Sequence, residues 1–539
     1  FWVFIVFNEI NTREKIRKLL WCSVITAFVI SIYGIFQHQD LWVNIFAWTQ
    51  DPSERVFTTI GHSNHTAAYL GMNLMILFGL FVSEKSSKKK MLLMLGFAVM
   101  AVTLLMTASR GGVVAIFIAL LIWFLFSLRD KQFSKKVKKL KKTILFTIAI
   151  LFMTVIVFRG PIGNLAVVER TISTVEFVQQ GNVPDRVSWW FSTWEMIADK
   201  PVLGHGLSTY RDVYNQYRRV DYKLPDDAQD HITPESAHME YLNTWALQGT
   251  VGLLAYLLMI GFALYYGFRF IKNSKNEQDK QITGALIASI LVYLIQVLMS
   301  FGVITTLFML YTFIGLIISY SKIDDKTREF KPHLVLRILG LVIALAVFVV
   351  GSYCSVRVLA AEYFVKNANV NAANNNFEVA MEDYEKAIEL MPYTSHYYEG
   401  YADYLFETGI RMPDGSQATF LIDAFGLYSE ALDLNPSIPY VHVNKGLVAS
   451  RLAVLYEEDD PEKYELFKGE ALKEHKAAVS FSRNNPVYHY KYGIQLMFFE
   501  ESLNEPIEQF QRVLKIRDPY KDTQVLLDGL VEQSSNGTF

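Results

Sequence analysis

The sequence is poor in charge and in cysteine for its length. Its 539 residues include 19% charged side chains and two cysteines, while 52% of the residues are hydrophobic. Soluble globular domains usually carry about 25% charged residues, which argues against one ordinary water-soluble fold for the whole chain. The formal net charge of −2 also argues against a protein that binds nucleic acid through bulk positive charge.

Motifs for metals and disulfides are lacking as well. Cys22 and Cys354 lie in or beside apolar runs far apart in sequence, and neither belongs to a Cys-x-x-Cys pair or another ligand spacing. The sequence also contains no Asp-x-Asp motif of the kind that holds a divalent ion. We therefore expect neither a metal ion nor another cofactor.

The low net charge conceals a division of the chain. Residues 354–539 contain 16 basic and 29 acidic side chains, a net charge of −13, which leaves +11 for residues 1–353. The first part is hydrophobic and basic, whereas the second has the charge density of a soluble domain. We divide the chain accordingly into a membrane domain, 1–353, and a soluble domain, 354–539.

Long apolar runs dominate the membrane domain. A spanning helix needs about 20 mainly apolar residues. Nine stretches are predicted to be such helices: 19–37, 64–83, 91–108, 111–128, 143–158, 249–268, 282–300, 303–320 and 334–353. A further apolar run, Phe1–Phe7, is too short to cross a bilayer, and we interpret it as the end of a truncated membrane helix.

Basic residues predict the orientation of these helices. Lysine and arginine collect in alternate loops, at 13–18, 85–90, 129–142, 269–280 and 322–331. By the positive-inside rule these loops are cytoplasmic. The segments that then face outward are 38–63, the link at Ser109–Arg110, the long loop 159–248, the link near Gly302, and everything after about 354. This topology separates Cys22 and Cys354 across the membrane, which argues against a disulfide between them.

The soluble domain shows amphipathic, Ala- and Leu-rich helical segments that end at breaks containing proline. These prolines, Pro392, Pro436, Pro486 and Pro519, recur at intervals of 44, 50 and 33 residues. Only the last interval fits the tetratricopeptide period of about 34 residues, so we predict an irregular solenoid of that type. Its concave face would bind peptides or other protein segments, and a role as a spacer is the alternative. The fold class is thus all-α: a polytopic transmembrane bundle followed by an extracytoplasmic solenoid.

Arg110 is the first candidate for chemistry on the outer face. It stands in MTASRGG (106–112), at the outer end of one predicted helix and before two glycines that open the next. An arginine at a membrane boundary is often an interfacial anchor. Gly111 and Gly112, however, would let a ligand approach the backbone.

Arg186 is the second candidate, in the segment NVPDRVSWWFSTWEMIADKPVLGHG (182–206). Pro184 and Pro201 delimit a predicted helix from Asp185 to Lys200. Three tryptophans on one side of it predict a helix at the membrane surface, with Arg186 at the level of the lipid headgroups. Pairing with only Asp185 or a lipid headgroup is the alternative for Arg186. His205 falls in a predicted Gly-His-Gly turn, as an exposed loop histidine.

His238 is the third candidate. Thr233 and Pro234 predict a helix start that places His238 just after the first turn, with Glu235 on the same face. A helix amino end disfavours imidazolium, so His238 would be neutral near pH 7, as a general base must be. Glu235 would orient the ring and stabilise its protonated form. A structural role at the membrane interface is the alternative for His238.

The two arginines and the histidine suit one particular chemistry. A sugar hydroxyl would attack an anomeric carbon whose leaving group is a lipid pyrophosphate. Arginine offers bidentate donors to phosphate and stays charged at any working pH. Negative charge grows on the pyrophosphate in the transition state, so those contacts strengthen there. A neutral histidine takes the proton from the acceptor hydroxyl.

The stretch from Arg110 through Gly252 resembles the O-antigen ligase and polymerase superfamily of membrane glycosyltransferases. TASRGG looks like the family's Ser-Arg-Gly helix start, and DRVSWW with PVLGHGLSTY is similar to its Arg-x-x-x-Trp and Pro-x-x-Gly-x-Gly pattern. His238, followed by ten residues and then Gly249-x-x-Gly252, fits a third family pattern. GHSNHTAAYL (61–70) looks like its Asn-His segment. Met239 follows the histidine where ligases usually carry Asn, Ser or Gln, which favours the superfamily over ligase proper.

The resemblance implies that Arg110 and Arg186 bind an undecaprenyl-pyrophosphate donor and that His238 assists the acceptor. The predicted catalytic residues are His238, Arg186, Arg110 and Glu235. The predicted substrate-binding residues are Arg110, Arg186, His65, Trp190 and Arg211. His62 and His65 could touch donor or acceptor, although capping of a helix by Asn64 and His65 is the simpler interpretation.

We therefore predict a metal-independent glycosyltransferase at the outer face of the cytoplasmic membrane, inverting at the anomeric carbon. Three reactions stay open: polymerisation of repeat units, ligation to a lipid or wall acceptor, and transfer to protein, which the repeats slightly favour. The repeats would recruit the acceptor or a protein partner. A flippase or transporter of lipid-linked glycan, or a non-catalytic scaffold that displays the repeats, is the alternative.

Overall fold

The computed structural model of the chain describes residues 2–39, 51–128, 185–219, 233–323, 334–499, 502–517 and 520–536. The regular elements within these ranges are helices, which confirms the all-α class. In chain order they are α1 Trp2–Glu9, α2 Arg13–His38, α3 Ser63–Ser83, α4 Ser87–Met106, α5 Arg110–Leu128, α6 Asp185–Asp199, α7 Tyr210–Tyr217, α8 Glu240–Asn273, α9 Glu277–Gln296, α10 Ile304–Ser321, α11 Leu334–Ala373, α12 Phe377–Leu390, α13 Ser395–Gly409, α14 Asp414–Leu434, α15 Pro439–Tyr456, α16 Pro461–Phe481, α17 Pro486–Phe499, α18 Asn504–Ile516 and α19 Thr523–Asn536.

The chain forms two units. The first contains residues 1–210 and 236–329, and the second contains residues 211–235 and 330–539. The position at which composition divides the sequence, Tyr353, lies inside the uninterrupted helix α11.

Six of the helices in the described ranges are long and apolar enough to cross a membrane: α2, α3, α4, α8, α10 and α11. The protein is therefore a multi-pass membrane protein. The apolar stretch of α5, Arg110–Trp123, is shorter. Most of the predicted span 282–300 folds as α9, which begins with the charged residues Glu277 and Asp279 and is not among the six. The predicted span 143–158 lies outside the described residues.

Helix α3 forms the centre of the first unit and is buried on nearly all sides. It packs against α9, α4, α5 and α2. Small residues allow these close approaches, because a side chain at Gly79 would overlap Ala285 of α9 and one at Gly71 would lie 2.9 Å from Val292. One polar pair in this packing joins α2 to α3, where the Ser23 hydroxyl donates to Asn73 Oδ1 at 2.7 Å.

Helix α11 carries two kinds of surface. Exposed apolar side chains line it from Leu334 to Val356, as a helix surrounded by lipid requires. Further along, Ala361 and Ala368 are buried, and the helix packs against α12. One continuous helix therefore contains the last predicted span and the first helix of the repeat array.

The repeat array from α11 to α19 consists of helices that pack against their neighbours in sequence order. Tyr398, His442 and His489 occupy equivalent places in it, because each side chain hydrogen-bonds a carbonyl oxygen six residues earlier, at 3.1, 2.9 and 2.9 Å. These residues are 44 and 47 residues apart. An irregular array is thus confirmed, but the proline interval of 50 compares non-equivalent places, since Pro436 precedes α15 and Pro486 is the first residue of α17. Pro519 lies outside the described residues.

Candidate active site

The amino ends of several helices meet in the first unit. His62 caps α3, since its Nδ1 accepts the backbone N–H of Asn64 at 3.2 Å, and His238 lies two residues before α8. Aromatic contacts join these two helix ends. Ring centroids are 4.8 Å apart between His62 and His65, 5.0 Å between His65 and Phe301, and 5.2 Å between Phe301 and His238. Helix amino ends carry partial positive charge, so this location favours an anion.

His238 stands in a loop, which corrects the sequence-based prediction of a helix from Thr233. Helix α8 begins at Glu240, with Met239 as its cap residue, and His238 has a backbone φ of 49°. The exposed Glu235 is outside a helix, so the spacing expected to align it with His238 is not present. The loop is fixed instead by the Trp190 indole N–H, which donates to the Ala237 carbonyl at 2.9 Å.

The His238 ring is half-buried between two aromatic rings. The Trp189 ring centroid lies 5.1 Å from its centroid with the planes tilted by 33°, and Phe301 meets it edge-on. Burial above all, with smaller contributions from the charge of Arg186 and from His62, lowers the pKa of His238 to about 4. His238 is therefore neutral at pH 7. The cause is burial and neighbouring charge, not the helix amino end on which the sequence-based prediction relied.

His62 is neutral for the same reasons. Burial lowers its pKa, with contributions from Arg55 and Arg186. Because its Nδ1 accepts a backbone hydrogen bond, the neutral ring carries its proton on Nε2. The cap of α3 is thus His62, whereas the sequence suggested Asn64 and His65. His65 is buried in the first turn of α3, between His62 and Phe301.

Arg186 lies in the first turn of α6, as predicted. Its Nη1 donates to the Met299 carbonyl at 2.7 Å, in the segment between α9 and α10 that also carries Phe301. Its charge acts on both His62 and His238. One guanidinium is therefore anchored beside two neutral imidazoles.

Arg55 is a further cation of the site that the sequence analysis missed. Its Nε donates to the Thr107 carbonyl and its Nη2 to Asn64 Oδ1, both at 3.1 Å. The only signal was that Arg55 is the single lysine or arginine in the predicted outward segment 38–63. Phe301 gave no such signal, because an aromatic residue beside an apolar run is unremarkable.

Arg110 begins α5 and is exposed. The link before it is tied to Arg55 through Thr107. The glycines after it allow close helix packing. A Cβ on Gly112 would lie 2.7 Å from that of Ala67, and one on Gly111 would lie 3.0 Å from Gln296 Oε1.

The turn 201–206 docks on a kink in α8. Gly249 has a φ of 65°, and a Cβ there would overlap the Val202 carbonyl. Backbone N–H groups of His205 and Gly206 donate to the carbonyls of Ala246 and Leu247, each at 2.9 Å. His205 itself is half-buried, contrary to the exposed position expected, and its Nε2–H donates to the Met196 carbonyl at 2.9 Å.

The predicted site residues therefore divide between the two units. Arg186, His65, Trp190 and His238 come together, and Arg110 stands beside the link that Arg55 holds. Arg211 belongs to the second unit, where its charge acts on Tyr440 and Tyr488.

Fold and site define a multi-pass helical membrane protein with cationic and neutral imidazole groups at converging helix ends. Residues 95–257 match the family model described as O-antigen ligase. This range includes Arg110, Arg186 and His238, so the resemblance drawn from the sequence is confirmed over this part of the chain. Together with the apolar helices, the match supports a membrane glycan-processing enzyme.

An uncharacterized protein of Haemophilus influenzae is 30% identical over 103 residues, which are 18% of this chain and 24% of that protein. The chain thus matches about a quarter of the length of this relative. A crystal structure of YrrB, described as a TPR protein with an unusual peptide-binding site, is 15% identical over 32% of this chain and 90% of its own, with a TM-score of 0.16. The crystal structure of yeast Tom70 is 12% identical, over 88% of this chain and 93% of its own, with a TM-score of 0.20.

Proposed function

We propose that the protein transfers or polymerises a glycan from an undecaprenyl-pyrophosphate donor to an acceptor hydroxyl at the outer face of the cytoplasmic membrane. The observation that carries this proposal is the position of Arg186 beside His62 and His238, two imidazoles whose pKa it lowers. A fixed cation next to a neutral base is the pair that this reaction requires.

The donor pyrophosphate binds at the converging helix ends. Arg186 and Arg110 donate to its oxygens, and Arg55 adds a third guanidinium on the Asn64 side of the site. Guanidinium groups match phosphate oxygens bidentately and stay charged at any working pH. Charge accumulates on the pyrophosphate as the glycosidic bond breaks, so these contacts stabilise the transition state more than the bound donor.

His238 acts as the general base. The acceptor oxygen forms a bond to the anomeric carbon while the bond from that carbon to the pyrophosphate oxygen breaks. The electron pair of the broken bond leaves with the pyrophosphate, and the acceptor proton passes to the neutral ring. Attack opposite the leaving group inverts the anomeric carbon.

Donor binding prepares this base. Before a donor binds, burial and the Arg186 charge keep the pKa of His238 low. A bound pyrophosphate brings negative charge that opposes this effect, so the pKa rises towards the working pH, where a general base is most effective. Trp189 and Phe301 hold the ring in place through the change.

The other predicted residues have lesser parts in this scheme. Trp190 fixes the loop that contains His238. His65 packs edge-on against the Phe301 ring, which in turn contacts His238. Glu235 has no assigned step, because it is exposed in a loop. Arg211 has none either, because it belongs to the second unit. No step of the scheme calls for a metal ion.

The acceptor decides among polymerase, ligase and protein transferase. A tetratricopeptide-like array is typical of protein recognition, which favours a protein acceptor or an assembly partner. Mass analysis of glycans and glycoproteins in a deletion strain tests the proposal. Shortened chains would indicate a polymerase, and accumulated unattached chains would indicate a ligase or protein transferase. Wild-type glycans and glycoproteins throughout would overturn the proposal.

A further inference from the structure

The second unit includes a piece of chain from outside the repeat array, residues 211–235. Its first eight residues, Arg211–Arg218, comprise most of α7 and the residue after it. Tyr214 and Arg218, four residues apart on one face, are only 2% and 6% exposed. A buried arginine in a short surface segment indicates that something specific holds this segment.

Asn435, at the end of α14, contacts the start of the segment. Its Nδ2 donates to Asp212 Oδ1 at 3.1 Å. The orientation of this amide is fixed independently, because Asn435 Oδ1 accepts the backbone N–H of Ser437 at 3.2 Å. The donor of the side chain therefore has to face the Asp212 carboxylate.

Asn484, between α16 and α17, contacts the end of the segment. Its Nδ2 donates to the backbone carbonyl of Arg218 at 2.6 Å, while its Oδ1 accepts from Arg512 Nη2 at 2.9 Å. Arginine can only donate, so this amide is also oriented without reference to the segment. Two asparagines on successive repeats thus hold the two ends of one eight-residue stretch.

Charge adds to these hydrogen bonds. The sequence RDVYNQYRR (211–219) contains three arginines and one aspartate, whereas residues 354–539 have a net charge of −13. Burial raises the pKa of Tyr488 to about 12, and the charges of Arg218 and Arg211 oppose that rise, which places both guanidinium groups near this repeat tyrosine.

We propose that the repeat array takes the chain's own basic segment, Arg211–Arg218, as its polypeptide ligand, held at the two ends by Asn435 and Asn484. The array is then an internal clamp on the long outer loop. This inference concerns polypeptide recognition and does not depend on the glycan chemistry proposed above.

Hydrogen–deuterium exchange on the full chain in detergent tests the clamp. In the double variant Asn435→Ala, Asn484→Ala, the amides of 211–218 should exchange about 25-fold faster, since each of the two lost hydrogen bonds contributes roughly a factor of five. The amides of α15 and α17 should keep their rates. The exposed Asn376→Ala serves as the control and should change nothing in 211–218. Unchanged exchange of 211–218 in the double variant would overturn the proposal.

A variant on the segment side covers the case in which the double variant disturbs the repeats. Asp212→Ala leaves every repeat residue intact and should accelerate exchange of 211–218 about fivefold. Adding Asn435→Ala should then have little further effect, because the two residues form one contact. Independent, additive effects of the two substitutions, or no effect of Asp212→Ala, would contradict the clamp.

Discussion

The backbone N–H of Thr250 donates a hydrogen bond to the Pro201 carbonyl across 2.8 Å, and the Thr250 hydroxyl donates to the same oxygen at the same distance. The contact exists because α8 is kinked at Gly249, which frees backbone groups that a regular helix would pair. Pro201 follows the carboxyl end of α6, and Arg186 lies in the first turn of the same helix. The contact therefore joins the helix that carries Arg186 to the helix that follows His238. Two motifs that are separate in sequence thereby define one site.

Gly249→Ala should separate them. A Cβ would overlap the Val202 carbonyl, and the φ of 65° is costly for any residue with a side chain. We expect a lower unfolding temperature in detergent and at least a tenfold loss of glycan transfer. Gly261→Ala in the same helix is the matched control, because its Cβ would meet no atom within 4 Å. Equal unfolding temperatures and equal transfer rates in the two variants would contradict the proposed role of the turn 201–206 in joining α6 to α8.

His238→Ala should abolish transfer while donor binding survives. A general base contributes about 10²- to 10⁴-fold, and the phosphate-binding arginines stay in place. Turnover and donor affinity are measured separately on the purified full chain. The exposed His396→Ala is the control. Undiminished turnover in His238→Ala would rule out its assignment as the base.

Arg186→Lys should lower kcat/KM by about tenfold or more, because lysine keeps the charge but loses the fork that binds two phosphate oxygens. The Met299 carbonyl can still be reached by a lysine ammonium, so the local fold should hold. Full activity of the lysine variant would mean that charge alone suffices at this position.

Arg186→Gln should move the acid limb of the kcat/KM profile to higher pH. The guanidinium disfavours protonation of His238, so its removal raises the pKa of the free enzyme's base from about 4 towards 6.5. The active, neutral ring is then lost at a higher pH as the solution is acidified. Arg186→Lys retains the charge and should leave the limb near its original position. An unmoved limb in the glutamine variant would show that burial alone sets this pKa.

His475 should make the repeat array less stable in acid. Burial lowers its pKa to about 4 in the folded chain, against about 6.5 when unfolded. The unfolded state therefore takes up a proton first, and stability falls as the pH drops from 6.5 to 4, by at most about 1.4 kcal/mol per pH unit. Thermal unfolding of His475→Gln should show a weaker pH dependence in this window, whereas His396→Gln should match the parent chain.

Much of the fold could be predicted from local pattern. Apolar runs predicted α2, α3, α4, α10 and the start of α11, and the two prolines delimited α6 almost to the residue. The start of α8 could not be predicted in this way. Thr233-Pro234 is a valid local helix signal. However, the backbone N–H of Glu240 donates to the carbonyls of Val297 and Ser300, and the Glu240 carboxylate accepts from the backbone N–H of Gly302. These long-range bonds fix the helix start at Glu240, six residues after Pro234.

The sequence alone determined the membrane and repeat character of the chain and singled out Arg110, Arg186 and His238, because hydropathy, charge and short motifs are local properties. Only the tertiary structure brought His62 and Phe301 into the cluster of rings around His238, since those contacts join α3 to the segments before α8 and α10. It also brought Arg55 to Asn64, in the first turn of α3. It also decided why His238 is neutral. Burial and the field of Arg186 depend on what surrounds the ring, and no spacing along the chain records that.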